Sequence, residues 1–299
     1  MPVDVYERIT ARILRNLEAG TIPWRKPWVG GEAGHPRNLA SGHFYRGINP
    51  FLLACTPYES PYWLTFNQAK KLGGSVRKGE KSTPVIFWKW WEKVNSKTGE
   101  KEKFPLLRYY NVFNVAQCDL PSDKLPGSAS VPEFAFEPIE VCERVVFEMP
   151  DPPEISHEGG TASYRPSDDS IRVPKPERFE KPESYYATLF HELSHSTGHV
   201  SRLNRPSVTS LISFGSRSYS KEELIAEMGA TFLCGHCGIE NTVIENSAAY
   251  IAGWLRSLKN DKRLVVHAAA AAQKSADFIL GRRDSVDCKS QEKEEVSNV

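Results

Sequence analysis

The 299-residue sequence has no apolar run approaching the roughly 18 residues of a membrane span, which argues against an integral membrane protein. The N-terminus has no basic segment followed by an apolar stretch, so we expect no secretory signal. The six cysteines are widely scattered, which is typical of reduced thiols in a cytosol and excludes a small disulfide scaffold. These absences predict a cytoplasmic globular protein with no membrane partner.

The net charge is also small, because 38 Lys and Arg nearly balance 37 Asp and Glu, but the two signs are unevenly distributed. Residues 1–130 contain 19 basic and 11 acidic residues, whereas the remainder contains 19 basic and 26 acidic residues. The first 130 residues also hold 18 of the 32 Phe, Trp and Tyr side chains. A basic, aromatic-rich half can bind a polyanion through stacking surfaces. A Trp-rich core with an ordinary solvated surface explains the same counts.

A Pro-rich stretch divides the chain into two parts. Residues 120–138 contain four prolines with Gly, Ser and Ala between them, a composition typical of an interdomain linker. We therefore expect a first domain over residues 1–120, a linker over 121–138 and a second domain over 139–282. The charged segment 283–299 has few apolar residues, which predicts disorder.

Hydrophobic patterns with periods of 2 and 3.6 residues occur in both halves, which predicts an α+β fold. A two-stranded hairpin is expected in each half, and a series of helices is expected to follow the second hairpin. The predicted helices span residues 3–19, 65–72, 139–149, 184–197, 220–236, 247–259 and 262–280. The first predicted hairpin pairs residues 82–94 with residues 104–115. The second predicted hairpin lies within residues 160–174.

The strongest chemical signal is an HExxH motif, His191-Glu192-Leu193-Ser194-His195, inside a predicted helix. Residues i and i+4 lie on one face of a helix, so two imidazoles at this spacing can bind one Zn²⁺ at about 2.0–2.1 Å. Glu192 would then take a proton from the activated water and deliver it to a leaving amine. We interpret His191 and His195 as metal ligands and Glu192 as the catalytic base. A chance match on a solvated helix is the alternative.

A catalytic zinc site needs a third protein ligand, and three residues are candidates. His199 follows the motif, but Gly198 interrupts the helix before it, and metzincin spacing would require His where Ser201 stands. Glu223 and Glu227 lie one turn apart on the next predicted helix, so one carboxylate can bind the metal while the other accepts a hydrogen bond from a histidine ligand. The spacing alone leaves the order of the two acids open.

Cations alternate with flat aromatic rings at several places in the first half. Single-stranded nucleic acid is bound by this combination, because Lys and Arg meet the phosphates while unpaired bases stack on aromatic faces. The recognition helix or zinc finger of a duplex reader is not evident in the sequence. A tryptophan in a strand, however, is more often part of a core. The predicted contact residues are Trp24, Arg25, Lys26, Trp28, Tyr45, Arg46, Arg77, Lys78, Lys81 and Lys89.

Two resemblances extend these interpretations. The acidic pair resembles that of the gluzincins, and this likeness implies that Glu223 binds the metal and Glu227 lies behind a ligand. Over about residues 3–280, the chain also resembles the ArdC-type antirestriction proteins of conjugative plasmids. The segments that carry the second resemblance are Tyr45–Asn49, Leu72–Lys81, His191–His199 and Arg202–Arg205.

The ArdC resemblance implies a mixed α/β single-stranded-DNA-binding domain followed by a zincin-like, gluzincin-type metallopeptidase domain. It implies a divalent cofactor, Zn²⁺ or another metal such as Mn²⁺, and protection of incoming plasmid DNA from host restriction during conjugation, in the cytoplasm of a bacterial host. A host restriction enzyme or another DNA-bound protein would be a further partner. The alternatives are a DNA-binding shield whose metal domain is structural or inactive, and a cytosolic zinc peptidase acting on DNA-bound proteins.

Overall fold

The computed structural model describes residues 4–25, 34–94, 101–125, 138–209, 217–239, 241 and 248–282. A sheet-rich N-terminal half precedes a helix-rich C-terminal half in an α+β fold. The helices are α1 (Val5–Glu18), α2 (Asn49–Ala54), α3 (Phe66–Lys71), α4 (Pro138–Phe147), α5 (Pro182–Ser196), α6 (Pro206–Thr209), α7 (Arg217–Cys237), α8 (Ala248–Asn260) and α9 (Leu264–Ile279). The strands are β1 (Arg37–Asn38), β2 (Tyr62–Leu64), β3 (Ser75–Val76), β4 (Thr83–Val94), β5 (Lys101–Asn114), β6 (Cys118–Asp119), β7 (Glu154–His157), β8 (Ser163–Arg165) and β9 (Ser170–Val173). Within these ranges, no helix combines the length and the apolar character needed to cross a bilayer.

The N-terminal half is built on a four-stranded sheet with the order β1-β2-β5-β4. All of β4 pairs antiparallel with β5, which gives the long hairpin that the sequence predicts. Asn49 of α2 ties this hairpin to the helix, because its side chain donates to the carbonyl of Ile86 and accepts from the Ile86 amide, both at 2.8 Å. The sheet is therefore fixed to a helix whose Phe51 and Leu52 belong to the main hydrophobic core.

The first helix, near the N-terminus, packs against helices from the C-terminal half. Its apolar stripe, Ile9, Ile13 and Leu17, has helical spacing and is fully buried, and the helix contacts α8 and α9. The Thr10 hydroxyl also donates to the carbonyl of Lys262 at 2.7 Å. α1 is therefore part of the packing of the C-terminal helices.

One hydrophobic core extends through both halves. Trp24 meets Phe51 of α2 and Trp254 of α8 edge to face, with ring centroids 6.5 and 5.2 Å away. Phe51 in turn contacts Phe232 of α7 at 5.0 Å. The Thr231 hydroxyl donates to the Trp24 carbonyl at 2.5 Å. The two halves therefore share an apolar interior.

The C-terminal half places a small sheet beside three closely packed helices. The strand order is β7-β9-β8, with β7 parallel and β8 antiparallel to β9. Ser194 of α5 faces Gly229 of α7, where an added Cβ would lie only 2.5 Å from the Ser194 Oγ. The Ser275 hydroxyl of α9 lies 3.3 Å from the Ser194 carbonyl. These small side chains let α7 approach the HExxH helix closely.

The predicted helices and both hairpins are confirmed, whereas several short elements are additions. The helix α2 and the strand β7 are among the elements that the sequence does not predict. They have six and four residues, which is too short for a hydrophobic period to be recognised. The predicted disordered tail, 283–299, and most of the predicted linker, 126–137, lie outside the described residues.

Candidate metal centre

The helix α5 carries the HExxH residues in its last turns. Pro182 lies in the first turn, where its missing amide hydrogen costs no helical hydrogen bond, and the helix ends at Ser196. His191 and Glu192 are buried and His195 is partly buried. The two imidazole rings lie 4.8 Å apart between centroids, and their Nε2 atoms are 3.1 Å apart. Both rings therefore point into one shared space.

The helix α7 brings Glu223 to the same space. One carboxylate oxygen lies 3.7 Å from the Nε2 of His191, and the other lies 3.6 Å from the Nε2 of His195. One donor atom from each of the three residues lies within 4.8 Å of the other two. The structure therefore assembles a His₂Glu group from two helices.

Two further acids of α7 lie behind the imidazoles. Glu227 Oε1 is 3.7 Å from the Nδ1 of His191, and Glu222 Oε1 is 3.5 Å from the Nδ1 of His195. Each histidine therefore directs Nε2 to the shared space and Nδ1 toward a carboxylate, the arrangement that orients metal-binding imidazoles. Sequence reasoning identifies Glu227 for this role and misses Glu222. The signal that could have found Glu222 is its position directly before the candidate ligand Glu223.

Arg205 holds Glu222 in place. Its guanidinium donates to Glu222 Oε1 at 2.5 Å, to the Ser194 carbonyl at 2.8 Å and to the Thr197 hydroxyl at 2.6 Å. Burial acts to raise the pKa of Glu222, but hydrogen bonds from His195 and Arg205 lower it to about 2. A buried, ionised carboxylate is therefore fixed between the end of α5 and the start of α7.

The centre has an excess of negative charge. Burial acts to lower the pKa of His191, but the nearby carboxylates of Glu223, Glu227 and Glu192 outweigh it and raise the pKa to about 9. Burial also raises the pKa of Glu227, against the attraction of His191. The surrounding carboxylates therefore favour a cation at this position.

This donor set fits a divalent metal. Two nitrogens bound to tetrahedral Zn²⁺ at about 2.0–2.1 Å are roughly 3.3 Å apart. The Nε2 atoms of His191 and His195 are 3.1 Å apart, close to that value. Two histidines and one glutamate are also a ligand set of catalytic zinc sites, which keep a fourth position open. Among the described residues, His191 Nδ1 and Glu227 Oε2 are buried without hydrogen-bond partners, in surroundings that a cation would stabilise.

His199 lies apart from the His₂Glu group, which corrects its candidacy as a ligand. Because α5 ends at Ser196, the chain has turned away before His199. Its Nδ1 lies 3.0 Å from the Ser201 hydroxyl and 3.9 Å from a carboxylate oxygen of Asp169. Arg202 binds the same carboxylate and the Ser196 carbonyl, so this cluster fastens the end of α5 to the turn between β8 and β9.

Two of the predicted DNA-stacking rings belong to the interior. Trp24 is 0% exposed and Tyr45 is 5% exposed, and each is part of a hydrophobic cluster. Their prediction as DNA contacts is therefore corrected, because a fully packed ring has no free face for a base. Arg46, the neighbour of Tyr45, is half exposed and forms an ion pair with Asp277 of α9.

The predicted cations around β3 lie at the surface. Arg77 lies 3.7 Å from Glu80 and 3.5 Å from Asp119, and it also donates to a backbone carbonyl. Lys78 and Lys81 are exposed. The structure does not describe the side chains of Arg25 and Lys89 or any part of Lys26 and Trp28.

The C-terminal half is a zincin-like domain, because it combines an HExxH helix with an acid from a second helix and a small sheet beside them. This domain is joined to a sheet-rich N-terminal unit. Family comparison agrees, because residues 149–271 match the zincin-like metallopeptidase family and residues 3–113 match the N-terminal domain of the anti-restriction factor ArdC. The chain belongs to the ArdC antirestriction family.

Solved and curated relatives support this assignment. The metal-free crystal structure of antirestriction protein ArdC from plasmid R388 is 40% identical, has a TM-score of 0.75, and covers 94% of this chain and 98% of that chain. Its Mn(II)-bound structure is 38% identical with a TM-score of 0.73, covering 95% and 100%. DNA primase TraC of Escherichia coli is 36% identical over 92% of this chain, which spans only 27% of TraC. Protein y4eC of Sinorhizobium fredii is 34% identical, covering 93% of this chain and 92% of y4eC.

Proposed function

We propose that this protein binds single-stranded DNA and protects incoming plasmid DNA from host restriction during conjugation. The ArdC family membership supports the antirestriction role. The basic, aromatic-rich composition of residues 1–130 and the exposed Lys78 and Lys81 support binding to a polyanion. Unpaired strands are favoured over duplex because stacking on aromatic rings requires unstacked bases.

The proposal includes a divalent metal held by His191, His195 and Glu223. The observation that carries it is the convergence of these three donors on one space between α5 and α7. When bound, such a metal supplies Lewis-acid polarisation of a carbonyl and makes water more acidic. Mn(II) is bound in the structure of the R388 relative, so both Zn²⁺ and Mn²⁺ are candidates here.

The residues of the chain then divide the chemistry between them. Glu192 is buried beside His191, where its carboxylate can accept a proton from water and return it to a leaving amine. Glu227 and Glu222 keep the two imidazoles oriented from behind. The activity that this arrangement supports is hydrolysis of a peptide bond, and the proposed substrate is a DNA-bound protein such as a host restriction enzyme.

Exchange of Glu192 tests the peptidase part. Glu192→Gln removes the proton acceptor but keeps the three donors, so it should retain metal and lose about 10²–10⁴-fold of any hydrolysis. His191→Ala should lose the metal as well. Metal content is measured by elemental analysis, alongside peptide cleavage and plasmid transfer into a restricting host. If Glu192→Gln keeps both its metal and full antirestriction, the peptidase role fails and the shield with a structural metal domain is the better description.

The DNA-binding part is tested by comparing short single-stranded and duplex oligonucleotides over a salt series. We expect tighter binding of the single strand, with an affinity that falls as salt rises by a slope of about −0.7 per phosphate contact. Equal affinity for the two forms would contradict recognition by stacking.

A further inference from the structure

A cavity of about 320 Å³ lies where the two halves of the protein meet. We call it the seam pocket. Its lining includes His35, Phe44 and Arg46 from the N-terminal half and His236, Gln273 and Arg282 from α7, α9 and the residues after α9. Its size lies at the lower end of the range of small-molecule sites, roughly 300–1,000 Å³. It is large enough for one nucleotide.

The described lining residues carry only positive or neutral side chains. Arg46 is held by an ion pair with Asp277, yet its side chain is 49% exposed. Arg282 is exposed, and its guanidinium lies 3.3 Å from the Nδ1 of His236. Two guanidinium groups from different halves therefore border one concave site, which suits a phosphate group.

An aromatic ring lies at the same site. Phe44 is 41% exposed, although a phenylalanine of a globular protein is usually buried. The guanidinium of Arg37 lies 5.0 Å from its ring centroid, and His35 meets the ring edge at 5.3 Å. Arg37 covers one face of the ring, and a partly exposed ring beside a guanidinium offers its other face as a stacking surface for a base.

Hydrogen bonds across the seam hold the pocket in shape. The Gly47 amide donates to the side-chain oxygen of Gln273 at 3.2 Å, beside the ion pair of Arg46 with Asp277. These contacts connect the segment after β1 to α9. The pocket is therefore a preformed site, which lowers the cost of ordering its groups on binding.

A second cavity of about 150 Å³ extends the seam pocket. The two cavities share His236, Leu280 and Arg282, and the second one reaches Arg144 of α4. Arg144 is exposed and adds a further cation beyond Arg282, while the exposed Glu148 adds one carboxylate to the same lining. The two cavities therefore adjoin at His236 and Arg282, which leaves space beside the seam pocket for the strand to continue.

The geometry points to the seam pocket as the binding site for one nucleotide of a single-stranded DNA, with its base on Phe44 and its phosphate at Arg46 and Arg282. This inference rests on the proposed single-stranded-DNA binding and gives it a location. The strand would pass from the N-terminal half onto α7 and α9, so the helices of the metal half also contribute to DNA binding.

Two pairs of variants test the seam pocket by fluorescence anisotropy with a labelled oligothymidylate. Phe44→Leu keeps an apolar side chain but removes the ring, and should weaken binding about fivefold or more, whereas Phe44→Tyr should bind like the wild type. Arg282→Gln should lower the magnitude of the salt slope by about 0.7. Lys175→Gln, the same change of charge at an exposed position that lines neither cavity, should leave that slope unchanged.

The outcomes separate this inference from the function on which it rests. The inference is supported if Phe44→Leu binds more weakly and Arg282→Gln has a shallower salt slope, while both control variants behave like the wild type. Wild-type affinity and slope in both variants would overturn the seam pocket while leaving DNA binding intact. No binding of oligothymidylate by the wild-type protein would overturn the proposed function and this inference with it. Thermal unfolding of each variant confirms that it is folded.

Discussion

Adjacent acids on α7 have different roles because a helix turns by about 100° per residue. Glu223 faces the space between the two Nε2 atoms, whereas Glu222 faces His195 from behind and binds Arg205. Glu227, one turn further along, faces His191 in the same way. Each imidazole therefore has its own acid behind it.

The pKa of Glu222 makes this acid a source of pH-dependent stability. Its pKa is about 2 in the folded protein and near the ordinary value of 4.5 when unfolded. The ionised form therefore stabilises the fold above about pH 4.5, and this contribution is lost as the pH falls from 4.5 toward 2. At roughly 1.4 kcal/mol per pKa unit, the loss is about 3 kcal/mol.

We expect Glu222→Gln to flatten the dependence of the free energy of unfolding on pH in that window. The measurement is urea unfolding of metal-free protein between pH 2 and 5, for the wild type and the variant. The control is Glu177→Gln, the same exchange at an exposed position outside α7, which should keep the wild-type slope. A Glu222→Gln slope equal to that of the wild type would show that the contacts with His195 and Arg205 do not hold the carboxylate ionised.

At the scale of elements, the centre depends on how closely α5 and α7 approach. Gly229 and Ser194 meet at the crossing, where the contact leaves no room for a side chain on α7. The glycine reduces helix propensity, but it permits the register that brings Glu223 to the histidines. Packing between the two helices therefore decides the geometry of the donors.

Gly229→Ala should weaken both the fold and the metal site. The new Cβ would lie 2.5 Å from Ser194 Oγ and 3.0 Å from its Cβ, so α7 must shift, at a cost of about 1–3 kcal/mol. Metal affinity should fall with it, because Glu223 moves away from the imidazoles. Gly253→Ala, on α8 with no atom within 4 Å of the added Cβ, should be neutral or gain about 0.5–1 kcal/mol. Denaturant unfolding and metal titration of both variants distinguish these outcomes, and equal behaviour would contradict the close approach.

The sequence predicts secondary-structure elements and local motifs better than it predicts which side chains are buried between the elements. The helices and hairpins follow from hydrophobic periods, and the spacing of His191 and His195 places both rings on one helical face. By contrast, Trp24 and Tyr45 look like stacking residues in sequence and are buried in the structure. Burial depends on contacts with distant parts of the chain, such as Trp254, which no local pattern contains. Glu222 is missed for the same reason, since its partner Arg205 lies on a different segment.

At the scale of the whole molecule, α7 connects the metal centre to the seam pocket. Glu223 lies near its start and His236 near its end, and 13 residues at about 1.5 Å per residue separate them by about 20 Å. Along the same helix, Phe232 contacts Phe51 of the N-terminal half. A DNA strand in the seam pocket would therefore lie at a fixed distance from the metal centre, near enough for a protein bound to that strand to reach it.

The shared core predicts that the two halves unfold together. Trp24 is fully buried between α2 and α8, so Trp24→Ala should lower the free energy of unfolding by about 3–5 kcal/mol. Phe147→Ala, at an aromatic position that is 89% exposed, should change it by less than about 0.5 kcal/mol.

Denaturant unfolding followed by circular dichroism and by release of bound metal should give one common midpoint, which Trp24→Ala lowers for both signals. Separate midpoints, with metal release unaffected by Trp24→Ala, would mean that the metal centre is stable without the N-terminal half. In that case the apolar contacts across the seam would contribute little to the fold.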